Sequence, residues 1–182
     1  MELPLRGETV LETARLRLRR YQASDLKPFV AMNADPEVMR FVGGPWSRER
    51  SLAVVELIEG GWDAIGRGML PIERLADGAF LGIAGATRLD WFPGEVEVGW
   101  RLLPEHWGHG YATEAGRAWI DRAFRVHGAA RVISVADVPN QRSRAVMARL
   151  GMRLDRVATV EEDGERIDVA VHAVTKEEWD GL

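Results

Sequence analysis

Two glycines, Gly108 and Gly110, stand where a strand-like segment of the chain gives way to a helix-like one. Residues 95–103 lead into them, and small or apolar residues then recur from Ala112 to Ala123 at the spacing of one helix face. Glycine lets the backbone approach a ligand closely, and a helix start offers unpaired N–H groups and the positive end of the helix dipole. Such a turn can bind an anion, most simply a phosphate or pyrophosphate. A glycine-rich turn that binds nothing has the same composition, so the glycines alone leave both interpretations open.

The same glycine spacing is compatible with other kinds of site. A dinucleotide-binding loop is one, since Asp137 ends the next predicted strand, but Thr113 occupies the place of its third glycine. That motif also opens a parallel βαβ unit, whereas this loop follows a predicted antiparallel meander. A Walker loop is excluded because the chain has no Gly-Lys-Ser/Thr. His106 and His109 have no nearby carboxylate set or cysteine to complete a metal site, so we predict no metal.

The residues around the glycines resemble the acetyl-CoA loop of the GNAT acyltransferases, in their RimJ/RimL-like branch. The family pattern is Gln/Arg-x-x-Gly-x-Gly/Ala, and Gly110 and Ala112 fill its last two places. Trp107 stands where Gln or Arg is usual, a departure that this branch shares. A second block, Asn140-Gln141-Arg142-Ser143 followed by residues 148–152, resembles the branch's Asn-x-x-Ser and Leu-Gly-Phe-like close. The resemblance extends from about residue 13 to about residue 174.

The resemblance implies acetyl-CoA as cosubstrate and a set of residues that bind it. The implied set comprises the loop, two residues of the preceding strand and the second block: Leu102, Leu103, Trp107, Gly108, His109, Gly110, Tyr111, Ala112, Thr113, Asn140 and Ser143. Backbone N–H groups near Leu102 and Leu103 would polarise the acetyl carbonyl, because the family splays this strand from its neighbour. Asn140 is also a good helix N-cap, and the cap and a contact with the pantetheine arm are compatible.

In the family an amine attacks the thioester directly, so a base must accept a proton from the amine. Glu97 is our first choice, since it lies on the strand before the loop, where these enzymes often carry a base-like carboxylate. Glutamates that alternate with valines, as Glu95 and Glu97 do, are otherwise typical of a solvated strand face. Glu161 or Glu162 on the final hairpin is the second choice. Ser143 could donate a hydrogen bond to the leaving sulfur, or bond only backbone.

The elements that position these residues follow from periodicity and turn signals. The pattern predicts strands and helices in this order: a strand at Leu16–Leu18, helices from Ser24 to Asn33 and from Ser47 past Trp62, strands at Met69–Arg74, Ala79–Leu89 and Glu95–Leu103, the helix after the loop, a strand at Arg131–Ala136, a helix from Asn140, and a hairpin of Leu154–Val160 and Ile167–Val174 around Glu162-Asp163-Gly164. Pro71 within a strand suggests an edge or a bulge. We expect one α+β domain over residues 1–182, with a GNAT-like mixed, mostly antiparallel twisted sheet flanked by helices on both faces.

The composition of the chain argues against several classes of function. The chain has 182 residues, 46% of them hydrophobic and 29% charged, with a formal net charge of −4. This charge argues against a nucleic-acid binder, and no apolar run is long enough to cross a membrane. There is no cysteine to carry an acyl group, and Met1–Pro4 shows no secretory signal, so we expect a cytoplasmic enzyme. Arginines greatly outnumber lysines, which we interpret as coding bias.

We therefore expect an acetyl-CoA-dependent N-acetyltransferase that moves acetyl directly to a primary amine. The acceptor is a protein N-terminus or a small-molecule amine, and the resemblance leaves a homodimer open. Aromatic residues such as Phe41, Trp46, Trp62 and Trp91 either shape the acceptor pocket or belong to the core. An inactive acyl-CoA-binding sensor or scaffold protein would carry the same loop, so it stays as the alternative.

Overall fold

The structure is a computed structural model that describes residues 5–162 and 164–182. Met1–Pro4, where we saw no secretory signal, and Asp163, in the predicted final turn, lie outside the described residues.

Eight strands form one sheet in the spatial order β1-β2-β3-β4-β5-β6-β8-β7. Their bounds are β1 Thr9–Glu12, β2 Leu16–Arg19, β3 Met69–Arg74, β4 Phe80–Thr87, β5 Val96–Leu102, β6 Arg131–Asp137, β7 Arg153–Glu162 and β8 Glu165–Thr175. All neighbouring strands are antiparallel except β5 and β6, which are parallel. The predicted α+β class with a mixed, mostly antiparallel sheet is confirmed.

Helices cover both faces of the sheet. Their bounds are α1 Leu26–Ala34, α2 Arg48–Ile65, α3 Tyr111–Arg125, α4 Gln141–Arg149 and α5 Lys176–Asp180. Helices α1 and α2 bury Phe29, Met32 and Val55 in a cluster with Ile83 of β4. The next β4 residue, Ala84, belongs to a second cluster that includes the apolar residues of α3, α4 and α5. Because successive strand residues point to opposite faces, the two clusters lie on opposite sides of the sheet.

The parallel pairing of β5 and β6 is short. It joins only Val96 to Val132 and Glu97 to Ile133, although β5 continues to Leu102 and β6 to Asp137. The two strands therefore diverge beyond Glu97 and open a V-shaped split toward their C-terminal ends. Helix α3 connects them, so the loop does open a βαβ unit, contrary to our argument from the meander. The unit differs from a dinucleotide-binding sheet because β6 pairs on its other side with the antiparallel β8.

Pro71 predicted an edge strand or a bulge; the edge is wrong, and the bulge alternative agrees with the strand register. Strand β3 lies between β2 and β4, so it is interior. The β2 pairing ends at Ile72, so the missing N–H of Pro71 costs no hydrogen bond to β2. A register shift does occur beside it, between Ile72 and Glu73 on the β4 side.

Two elements were not predicted, β1 and α5, and both are short. The first helix begins irregularly, with a 3₁₀ turn at Ala23–Asp25 before α1. Ser47 caps α2 as predicted, since its side chain accepts a hydrogen bond from the Arg50 N–H.

Two buried arginines, Arg19 at the end of β2 and Arg20 directly after it, are neutralised by carboxylates. Arg19 donates to both Asp25 oxygens at 2.7 and 2.9 Å, and Arg20 lies 2.8 Å from Glu59 Oε2. Burying a charge is costly unless it is paired, and these two cations satisfy that rule.

Candidate functional site

The glycine loop forms the start of α3. Gly108 and Gly110 have φ of +79° and +81°, a left-handed conformation that side chains rarely adopt, and α3 begins at Tyr111. In the first turn, the Thr113 hydroxyl is buried and has no hydrogen-bond partner among residues 5–162 and 164–182. Free N–H groups, the helix dipole and this unpartnered hydroxyl together suit an anionic ligand.

A clamp from the β1–β2 turn holds the loop in place. Glu114 of α3 accepts hydrogen bonds from Thr13 Oγ1 at 2.6 Å and from the Arg15 N–H at 2.9 Å. Arg15 also donates to the His109 carbonyl at 3.1 Å and lies 4.7 Å from the Tyr111 ring centroid. Sequence reasoning missed Arg15, because its partners lie about a hundred residues away and no local pattern links them.

A cleft of about 930 Å³ runs along the divergent side of β5, past the loop and α4. Most of the predicted binding residues line it: Leu102, Trp107, Gly108, Gly110, Tyr111, Ala112, Thr113, Asn140 and Ser143. His109, Leu103 and Glu97 are not among the lining residues. The opposite wall is the turn segment that carries Glu37, Val38, Arg40, Phe41 and Val42, of which the sequence analysis named only Phe41.

Leu103 does not fit its predicted role. Its N–H donates to the Leu81 carbonyl at 3.0 Å, and its carbonyl accepts from the His106 N–H at 3.0 Å. Both backbone groups are therefore used within the fold. Consecutive residues of an antiparallel strand point their N–H groups in opposite directions, so the Leu102 N–H faces away from β4 and toward the split. The Leu102 carbonyl accepts from the Trp107 indole N–H at 2.9 Å, which fixes the loop to the end of β5.

Asn140 and Ser143 lie at the start of α4. The Asn140 side chain accepts from the Ser143 N–H at 3.2 Å, so Asn140 is the N-cap of this helix, as predicted. The Ser143 hydroxyl lines the cleft and makes no hydrogen bond within the described ranges. It is free to donate to a ligand atom.

Arg142 of α4 spans the cleft mouth. Its guanidinium lies 4.3 Å from the Trp107 ring centroid and 3.5 Å from the Glu37 carboxylate on the opposite wall. Both charged side chains are well exposed, so this ion pair contributes little to stability and can open for a ligand.

Glu97 is the last residue of β5 that pairs with β6, at the vertex of the split. Its side chain is buried rather than solvated, because β5 is a central strand covered on both faces. Thr87 Oγ1 donates to Glu97 Oε2 at 2.8 Å. Burial raises the pKa of Glu97 to about 7, and the Thr87 hydrogen bond offsets part of that increase.

The other candidate carboxylates lie away from the cleft. Glu95 is paired with Arg156 at 2.8 Å. Glu161 is exposed on β7, and its carbonyl accepts from the Trp91 indole N–H at 3.2 Å. Neither these residues nor Glu162 lines the cleft.

The four aromatic residues that we considered for the pocket have different locations. Phe41 lines the cleft, Trp62 belongs to the core, and Trp91 lies beside β7. Trp46 is in contact with two guanidinium groups, those of Arg50 and Arg101, which lie 4.6 and 5.0 Å from its ring centroid. No three His, Cys, Asp or Glu side chains within residues 5–162 and 164–182 are grouped as metal ligands. In the same part of the chain, no helix has the length and apolar character needed to cross a membrane.

Comparison with known proteins identifies the family. Residues 15–153 match the family model described as the acetyltransferase (GNAT) domain. The chain belongs to the GNAT acetyltransferase family. It is an N-acetyltransferase enzyme of that family, whose members use acetyl-CoA as cosubstrate.

Three relatives illustrate the similarity. The FsC-acetyl coenzyme A-N(2)-transacetylase of Aspergillus fumigatus is 29% identical, over 97% of this chain and 80% of its own length. YdaF of Bacillus subtilis, provisionally named a ribosomal N-acetyltransferase, is 32% identical over 59% of this chain and 60% of its own length. A crystal structure of an acetyltransferase from Agrobacterium tumefaciens has a TM-score of 0.77 and 32% identity, over 91% of this chain and 94% of the other.

Proposed function

We propose that this GNAT enzyme transfers an acetyl group from acetyl-CoA directly to a primary amine, within a ternary complex in the cleft. The observation that carries the proposal is the split between β5 and β6, which runs from the α3 N-terminus back to Glu97. The steps from Glu97 to Leu102 span roughly 16 Å of strand. That length suits an extended pantetheine arm with its pyrophosphate at the loop and its thioester near the vertex.

The residues present fit acetyl-CoA. The N–H groups of the loop and of the first turn of α3, with the buried Thr113 hydroxyl, would hold the pyrophosphate. Arg142 at the cleft mouth adds a cation on the same side. The Asn140 side-chain amide would contact the pantetheine arm, as the resemblance implies. Acetyl-CoA, when bound, supplies the activated acetyl group as a thioester.

Glu97 would accept the proton of the attacking amine, directly or through a water molecule. A pKa of about 7 leaves a substantial deprotonated fraction at neutral pH, which is the tuning that a general base needs. Its task depends on the acceptor: deprotonating a lysine-like amine at pH 7 costs roughly 4–5 kcal/mol, and an α-amine only roughly 1–1.5 kcal/mol. The Leu102 N–H, at the loop end of the split, would bond the pantetheine arm, and the Ser143 hydroxyl would donate to the departing sulfur.

Two acceptor classes are supported by relatives. The similarity to YdaF, with the RimJ/RimL-like loop, favours a protein N-terminus. The similarity to the Aspergillus transacetylase favours the amine of a small molecule. We propose a primary amine as the chemistry common to both.

The test is a screen of amines with acetyl-CoA, with free coenzyme A and the acetylated amine measured together. The screen includes peptides with free N-termini, peptides with an acetylated N-terminus and one lysine, and small amines. We expect acetylation of at least one class, dependent on acetyl-CoA. Tight acetyl-CoA binding without transfer to any amine would instead favour the alternative, an inactive acyl-CoA sensor or scaffold.

A further inference from the structure

A cation on the β5 wall of the cleft is withdrawn from water and has no anionic partner among the described residues. Arg101, on β5, lines the cleft beside Arg40 and Phe41 of the opposite wall. Its Nη1 lies 3.0 Å from the Met39 sulfur, a weak neutral acceptor, and its guanidinium stacks on Trp46 at 5.0 Å. Within residues 5–162 and 164–182, no carboxylate lies within 4.0 Å of it.

This isolation is unusual for an arginine that is withdrawn from water. Burial lowers the pKa of Arg101 to about 10, the direction expected of a cation that is desolvated without a compensating charge. Arg19 at the end of β2 and Arg20 directly after it, which are also buried, each have a carboxylate within 3 Å. Two donors at the Arg101–Trp46 stack are buried and lack acceptors among the described residues: Arg101 Nε and Trp46 Nε1. Buried donors of this kind are costly unless a ligand satisfies them.

Arg101 shares a strand face with Glu97. Residues 97, 99 and 101 alternate onto the same side of β5, and the middle one is Gly99. The Glu97 carboxylate leans over Gly99, since a Cβ built there would lie 2.9 Å from Glu97 Oε1. Between the proposed base and the unpaired cation, this face of the strand therefore carries no side chain.

We propose that Arg101 binds a carboxylate of the acceptor, so that the substrates are primary amines that also carry a carboxylate group. This inference rests on the proposed function and specifies its substrate class. The amine would lie toward Glu97, and the carboxylate would satisfy the Arg101 fork. The Arg101 guanidinium, which lies 5.0 Å from the Trp46 ring centroid, presents its N–H groups in one plane, the geometry that matches a carboxylate.

A carboxylate suits the site better than a phosphate. The Arg101 guanidinium carries one positive charge, and Arg50, which also lies against Trp46, is not among the cleft-lining residues. Arg40 does line the cleft, but its guanidinium lies 5.2 Å from the Phe41 ring centroid. A dianionic phosphate would leave excess negative charge near Glu97, which must itself become anionic to act as a base.

The test compares acceptors that differ only in one carboxylate. One pair is γ-aminobutyrate and its amide. The other is two tripeptide amides that differ only at the second position, where one has Glu and the other has Gln. In any pair that the enzyme acetylates, we expect the acceptor with the carboxylate to have a kcat/KM about ten- to hundredfold higher than that of its amide. This ratio corresponds to the free energy of a hydrogen bond to a charged group. Equal values for carboxylate and amide in every pair that is turned over would overturn the inference.

Substitutions test whether Arg101 causes the preference for acceptors with a carboxylate. Arg101→Gln should remove the preference, and Arg101→Lys should retain part of it, because lysine keeps the charge but loses the planar fork. Arg50→Gln is the matched control, since it removes a cation from the same indole without touching the cleft, and it should keep the full preference. An undiminished preference in folded Arg101→Gln would contradict the inference.

A binding measurement separates this inference from the proposed function. The same probes are titrated calorimetrically into protein saturated with coenzyme A, in wild type and Arg101→Gln. Carboxylate binding that depends on Arg101, without any transfer, would overturn the proposed transferase function and leave the anion site standing. Transfer to amines without an Arg101-dependent preference for a carboxylate would support the proposed transferase function and overturn the Arg101 inference. Absence of both binding and preference would count against the inference.

Discussion

The Glu97 side chain joins two properties that rarely occur together, burial in a central strand and a position at the vertex of the split. If it is the base, Glu97→Gln keeps its shape and removes the proton acceptor. We expect turnover to fall by about 10²–10⁴-fold at neutral pH while acetyl-CoA binding is retained. The loss should shrink at high pH, where more of the amine is already neutral, and it should be smaller for an α-amine than for a lysine-like amine.

The matched control is Glu161→Gln, which removes the other candidate base at an exposed position outside the cleft. It should leave turnover within about twofold, as surface substitutions usually do. A loss of less than about threefold in Glu97→Gln, with chemistry shown to be rate-limiting, would transfer the role to another carboxylate or to water.

The buried Glu97 carboxyl also makes a prediction about stability. Its pKa is raised by burial from 4.5 in the unfolded chain to about 7 in the folded protein, so between these values the folded state binds more protons. Stability from this group is therefore fully present below about pH 4.5 and is lost as pH rises through about 7. The free energy of unfolding of wild type, relative to Glu97→Gln, should fall by on the order of 3 kcal/mol across this window. Urea unfolding of both proteins at pH 4.5, 6 and 8 measures it, and a difference independent of pH would show that Glu97 titrates normally.

At the scale of single residues, sequence reasoning predicted the loop residues and Asn140, because the signals for a glycine turn and for a helix N-cap lie within a few consecutive residues. It missed Arg15, Arg101 and Arg142, since we discounted arginines as coding bias and since each acts through a partner distant in sequence. The burial of Glu97 was also missed, because alternation with valine describes a half-solvated strand and cannot show that helices cover both faces.

At the scale of elements, we propose that the loop at the start of α3 controls the binding of acetyl-CoA. Gly110 has a positive φ, and a Cβ there would meet only Arg15 Nη2, at 3.5 Å. Gly110→Ala therefore imposes backbone strain with little bulk, and Gly110→Val adds bulk at the mouth of the anion site. We expect both variants to lose some stability, and Gly110→Val to have a much higher KM for acetyl-CoA than Gly110→Ala.

The two effects are separable by measuring the melting temperature and KM of both variants. Equal KM values in folded Gly110→Val and wild type would place the pyrophosphate elsewhere. Equal KM increases in both variants would show that backbone conformation, rather than steric access, controls binding.

Helices and strands were largely predictable, because caps, turn residues and periodicity are short-range signals. The position at which β5 and β6 separate was not predictable, because the pairing of residue 97 with residue 133 depends on tertiary structure. Pro71 predicted an edge or a bulge, and only the bulge alternative agrees with the structure. Proline shows that an N–H is absent, whereas strand order shows whether that N–H is needed. Strand β1 and helix α5 are too short to produce a clear periodicity.

At the scale of the whole molecule, the sheet, the α3 N-terminus and α4 surround one cleft that suits a coenzyme A thioester. A ligand that binds only the folded protein stabilises it, by about 2.7 kcal/mol at a concentration of 100 Kd. For a chain of this size each kcal/mol raises the melting temperature by roughly 2–4 °C.

The most direct test of the central claim is the melting temperature of the protein with acetyl-CoA, NAD and ATP, each at the same concentration. We expect acetyl-CoA to raise the melting temperature by roughly 5–10 °C near saturation. NAD and ATP carry phosphates but no pantetheine arm to fill the split, so they should raise it much less. Stabilisation by NAD without stabilisation by acetyl-CoA would contradict the assignment of the loop and of the cleft.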